Sequence, residues 1–156
     1  MNLDLKPLFI ITIFCLFQVS SLIAQNISGE WNGIIKQDEG GLSDEYIFSI
    51  HIIQDGEKIT GFSKVELYNS TKRILYARKK IVGTFEGKVL KFREIEIVDL
   101  ENASSSNICL VKGKLKFVWD KAALCLEGTW GGKTSDGTIC APGKIKVCST
   151  IPIAEN

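Results

Sequence analysis

Short runs in which apolar and polar residues alternate recur along most of this chain, separated by clusters of Gly, Asn, Asp and Ser. A period of two predicts half-buried β-strands rather than helices. Eight strands are expected, at 29–36, 45–54, 58–67, 74–85, 89–98, 108–119, 124–130 and 143–149. The stretches 37–44 and 99–107 read as polar loops, and no heptad or amphipathic helical run interrupts the series.

The alternation also sets expected registers. Asp55-Gly56 is a two-residue turn signal, since both positions tolerate positive φ. It would place Ile52 opposite Ile59, Ile50 opposite Gly61 and Phe48 opposite Ser63, with Tyr46, Phe48, Ile50 and Ile52 inward and Ser49, His51 and Thr60 outward. A turn at 120–123 pairs Trp119 with Leu124, Phe117 with Leu126 and Leu115 with Gly128. Carried onward, Leu126 meets Val147, Gly128 meets Ile145, Glu127 lies between Lys116 and Lys146, and Cys125 faces Cys148. In the strand at 89–98, Leu90 and Phe92 share one parity while Ile95 and Ile97 share the other. A bulge near Arg93-Glu94 would reconcile them.

Beyond the alternation, the N-terminus stands apart. A weakly charged start, an apolar run from Pro7 to Ala24 and a small residue before Gln25 predict a secretory signal peptide at 1–25. The remainder, 26–156, has the length of one domain and can bury about two-thirds of its unfolded surface. It carries 18 basic and 17 acidic side chains, a balance that argues against a polybasic nucleic-acid or anionic-membrane binder. No other apolar stretch approaches the ~20 residues of a bilayer span, so stable membrane insertion is not expected.

Four cysteines follow the signal segment: Cys109, Cys125, Cys140 and Cys148. An even count in an exported chain predicts two disulfides, and three pairings are available. The register above selects Cys125–Cys148, which leaves Cys109–Cys140. No C-x₂-C spacing occurs and the only histidine, His51, is remote, so no metal site is expected. The whole predicts an all-β fold: a single antiparallel up-and-down β-barrel of about eight strands, stapled by disulfides, in a secreted or periplasmic protein.

Within that frame some residues resemble a known family. Gly29-Glu30-Trp31, at the start of the first strand, resembles the Gly-x-Trp signature of the calycin barrels, the lipocalins and avidins. Ile59-Thr60-Gly61, Gly83-Thr84-Phe85 and Gly128-Thr129-Trp130 are similar to the Gly/Thr/aromatic strands of avidin-like proteins. The last strand offers Lys144 and Lys146, which the register turns outward, where lipocalins carry an inward basic residue over the first tryptophan. The resemblance implies a small, largely apolar ligand held at the barrel mouth by tryptophans.

Candidate chemistry adds little to this picture. His51 would have to serve any Ser-His or Cys-His machinery, yet it sits mid-strand on the outward face. Gly131-Gly132-Lys133-Thr134 imitates the end of a phosphate loop, but Gly128 is one residue too close and no helix is expected to follow. Glu94, Glu96, Asp99 and Glu101 form an acidic cluster that could supply an acid/base pair, but alternating acids more often mark a solvated face, with Arg93 at hand to neutralise Glu94. Lys72-Arg73 with Arg78-Lys79-Lys80 reads as a solvated strand edge, or as a surface for an acidic partner. Three Asn-x-Ser/Thr triplets, at Asn26, Asn69 and Asn102, bear on glycosylation only in a eukaryotic source.

The aromatics carry the expectation. Trp31, Phe92, Phe117, Trp119 and Trp130 could line the interior as ligand-binding residues. The expected function is an exported, non-catalytic binding module for a small apolar ligand, with no cofactor, no catalytic residue and no nucleic-acid partner. The alternative is a protein-interaction barrel, an inhibitor or cell-surface assembly component, with a packed interior and contacts carried by loops 37–44, 68–73 and 131–142.

Overall fold

A computed structural model of the chain describes residues 25–120 and 123–149. Apart from Gln25, the expected signal segment lies outside the described residues. Eight strands run in order: β1 (Gly29–Gln37), β2 (Glu45–Asp55), β3 (Lys58–Asn69), β4 (Lys72–Glu86), β5 (Val89–Glu101), β6 (Leu110–Asp120), β7 (Ala123–Lys133) and β8 (Ile139–Ser149). Each pairs antiparallel with its neighbour in sequence, and β1 pairs with β8 to close a barrel. Closure leaves no edge strand, so the basic run at 72–80 is not an edge.

The β6–β7–β8 registers agree with the sequence reading pair by pair, including Phe117 opposite Leu126, Leu126 opposite Val147 and Glu127 between Lys116 and Lys146. Both expected disulfides form, Cys125–Cys148 and Cys109–Cys140. Lys146, exposed as expected, joins Asp120 and Glu127; hydrogen bonds to these two carboxylates, Asp120 first, raise its pKa.

Three local readings are corrected. The β2–β3 hairpin turns on Gly56-Glu57 rather than Asp55-Gly56, because Gly56 alone takes positive φ (59°) and Asp55 stays paired with Lys58. The slip is two residues, so Ile52 meets Gly61, Ile50 meets Ser63 and Phe48 meets Val65. An even slip preserves parity, and Tyr46, Phe48, Ile50 and Ile52 are buried inward as expected.

In β5 the irregularity expected near Arg93-Glu94 is a pair of bulges one step further on. Lys80 and Ile81 oppose Glu96 and Glu94, leaving Ile95 extra, and Arg78 and Lys79 oppose Asp99 and Ile97, leaving Val98 extra. Each bulge resets the parity, so the inward row runs Leu90, Phe92, Glu94, Ile97, Leu100. β8 begins at Ile139 and not after Pro142, because Trp130 opposes Gly143 while Gly132 opposes Cys140. Pro142 falls within this bulge, where a missing N–H breaks no ladder.

The two ends of the barrel differ. At the end carrying the 56–57 and 87–88 turns, Ile27 plugs the interior and accepts a 2.9 Å hydrogen bond from Trp31 Nε1 through its carbonyl. Phe117 packs edge-to-face on Trp31 and Phe85, with centroids 6.1 and 6.4 Å apart. Such pairs add about 0.5–1.5 kcal/mol each beyond their burial. This end is closed.

Candidate functional site

The opposite end is open. There the β1–β2, β5–β6 and β7–β8 connections surround a pocket of about 360 Å³ that enters the barrel between strands. Its walls include Tyr46, Phe48, Val65, Leu75, Val111 and Trp130, and the Cys109–Cys140 bridge forms part of its side. Period-two alternation aims these six side chains inward from β2, β3, β4, β6 and β7. Trp130 is fixed by a 2.8 Å hydrogen bond from Nε1 to the Lys36 carbonyl. The Tyr46 hydroxyl accepts from the Ser43 amide at 3.1 Å, which ties the β1–β2 loop to the wall.

The β7–β8 loop is held by Asp136, whose carboxylate accepts from the Thr134 hydroxyl and from the Thr138 amide. These bonds, the Thr134 bond first, depress its pKa. A depressed carboxylate favours the folded loop above the ordinary carboxylate range and loses that contribution as pH falls through the lowered value. At the rim, where they also line the pocket, Leu42 and Ile139 stand 83% and 76% exposed.

Lys79 contributes to the pocket lining from an inward position on β4, flanked along the row by Ala77 and Ile81. Its ammonium lies 2.7 Å from Glu94 Oε2 and donates to the Cys109 carbonyl at 3.0 Å, and both side chains are almost wholly buried (3% and 0% exposed). Glu94 also accepts from Ser63 Oγ at 2.5 Å and from the Val111 amide at 2.6 Å. The β5–β6 ladder ends at Arg93 opposite Lys112. Glu94 therefore takes up the next backbone donor of β6 after the strands part. A buried charge survives when it is paired and its remaining sites are hydrogen-bonded, as here.

The sequence reading missed this cluster. It assigned Glu94 to a solvated acidic face beside Arg93 and Lys79 to a solvated run. The structure overturns both: Glu94 continues the inward parity of Leu90 and Phe92, and Lys79 that of Leu75, Ala77 and Ile81. Glu96 is exposed beyond the bulge, so no acid/base pair of Glu94 with Glu96 is assembled. Of the rest of the basic run, Arg73 and Arg78 are engaged within the protein. Arg73 pairs with Glu101 at 2.6 Å and Glu66 at 3.2 Å, the Glu101 bond first in raising its pKa, and Arg78 lies over the Phe62 ring.

The expected aromatic residues are dispersed. Trp130 lines the pocket, Trp31 and Phe117 belong to the plug at the closed end, and Phe92 is buried against Gly113. Trp119 is corrected outright. It has inward parity but sits one step from the end of β6, past the plug, and is 66% exposed. Trp119→Ala should therefore change unfolding free energy by no more than about 0.5 kcal/mol in urea titration. His51 is outward, 2.7 Å from Glu30 through Nδ1.

No protein-family model, curated protein or solved structure matches this chain. What the pocket can do rests on its own residues. Two disulfides fit an oxidising compartment, extracellular or periplasmic, and no helix among the described residues is long and apolar enough to cross a membrane.

Proposed function

We propose that this protein is an exported, non-catalytic binding barrel that holds a small, largely apolar molecule in its open mouth. The observation that carries the reading is the pocket of about 360 Å³, walled by apolar and aromatic side chains with one polar group at depth. Sites for small ligands have this size and this ratio of apolar wall to polar anchor. The calycin resemblance on Gly29-Glu30-Trp31 implies the same use.

The Lys79 ammonium spends two of its three N–H groups on Glu94 and Cys109, which leaves one for an acceptor atom of the guest. Because Glu94 balances its charge, the site favours a neutral carbonyl, ether or hydroxyl. A carboxylate would bring an unbalanced charge into a low-dielectric site.

The test is titration with the neutral apolar fluorophore N-phenyl-1-naphthylamine. Enhanced probe emission is expected with the disulfide-bonded protein, and Val65→Phe, which fills the pocket from β3, should abolish it with far-UV dichroism unchanged. Equal binding by the filled variant would sink the reading. The exposed rim residues Leu42 and Ile139 favour a second reading, a protein partner seated on the loops. Under that reading the probe fails to bind even the unmodified protein.

A further inference from the structure

A separate surface carries a further inference. Outward positions in the first half of β5 include Lys91 and Arg93, and outward positions on β6 include Lys112 and Lys114. The register sets Lys91 directly opposite Lys114 and Arg93 directly opposite Lys112. On the same wall Lys114 neighbours Thr129, and Thr129 neighbours Lys144. All five cations are exposed, and none pairs with a carboxylate among the described residues.

Like charges directly opposite one another across a strand pair are destabilising, and here two such pairs stand side by side. They border an open concavity of about 710 Å³ across β4–β7, whose lining includes Thr84, Thr129 and Gly131. At Gly131 an added Cβ would meet nothing within 4 Å. The chain as a whole is nearly neutral, at +1, so this wall is a local concentration of charge. Several cations elsewhere are matched, Lys36 with Glu45, Arg73 with Glu66 and Glu101, and Lys146 with Asp120 and Glu127.

We propose that the outer wall of β5–β6 docks an acidic polysaccharide. Lys91, Arg93, Lys112 and Lys114 form a grid, spaced about 6.8 Å along each strand and about 4.8 Å across, which suits repeated anionic groups on an extended chain better than one small anion. The Thr84 and Thr129 hydroxyls and the bare glycine surface leave room for sugar rings and their hydroxyls. The disulfides fit a compartment outside the cytosol, where acidic polysaccharides are met. Trp130 is the one lining residue this concavity shares with the pocket in the barrel mouth.

Isothermal titration of the disulfide-bonded protein with dextran sulfate tests the proposal, with uncharged dextran as the blank. Binding is expected that weakens with added salt. Lys91→Gln/Lys114→Gln should weaken it about tenfold or more. The same double variant should unfold at a higher temperature in low salt, since it removes a repulsion; a variant damaged in its fold would do the opposite. Lys64→Gln/Lys72→Gln, with the same change in net charge at positions away from this wall, should bind as the unmodified protein does. Equal weakening in both variants, or no binding at all, would overturn the proposal. Tighter binding to duplex DNA or to anionic phospholipid vesicles at the same salt would also overturn the assignment of partner.

Discussion

Glu94→Ala should lower the unfolding free energy by about 3–5 kcal/mol, because it strands the buried Lys79 ammonium without its counter-charge. It also takes the acceptor from the Val111 amide and the Ser63 hydroxyl, each left inside the barrel without that partner. Lys79→Met/Glu94→Gln should cost far less. The glutamine carbonyl can still accept from Val111, and no charge remains to be balanced. The comparison is made by urea unfolding, with the slope checked so that a change in midpoint reads as stability. A loss under about 1 kcal/mol for Glu94→Ala would mean that the pair is solvated and the pocket floor is not as described.

Removing either disulfide should cost about 2–4 kcal/mol, but the two should differ in function. Cys125–Cys148 joins neighbouring strands far from the mouth, so Cys125→Ala/Cys148→Ala should leave affinity for the apolar probe unchanged. Cys109–Cys140 forms a wall of the pocket, and the Cys109 carbonyl also receives a hydrogen bond from Lys79. Cys109→Ala/Cys140→Ala should therefore lose stability and weaken the probe together. Equal effects of the two pairs on probe binding would remove the Cys109–Cys140 bridge from the site. Probe titration at a temperature where both variants remain folded separates the readouts.

Much of the barrel was legible because period-two alternation is a local signal. In β6–β8, apolar rows, a Glu between two Lys and a facing cysteine pair all demanded the same register, and the strands adopt it. The β2–β3 turn was misplaced because Asp55 and Gly56 suit a turn equally well by residue type; only the ladder that keeps Asp55 beside Lys58 separates them. The parity survived because the slip was even.

The pocket floor was legible in principle. Lys79 and Glu94 each lie on an inward row, and a charged residue on a buried parity asks for an opposite charge on another. The reading failed because Glu94 was grouped with Glu96, Asp99 and Glu101 by sequence proximity. The bulges at Ile95 and Val98 set these residues apart. A bulge has no strong residue signature, so its position emerges only once the neighbouring strand is laid down.

Alternation, turn residues and cysteine parity by themselves determined an eight-stranded all-β chain, the inner and outer faces of β2 and of β6–β8, and the Cys125–Cys148 pair. Each of these depends on neighbours along the strand or across a single hairpin. Tertiary structure alone decided which end of the barrel is plugged and which stays open. It alone separated Trp130 at the mouth from Trp31 in the plug and Trp119 in solvent. It also decided that Lys91 and Arg93 face Lys112 and Lys114, a concentration that a near-neutral total charge conceals. Closure is the physical reason: strand lengths, bulges and loops from the whole chain must be reconciled around one ring before the end of any row acquires a place.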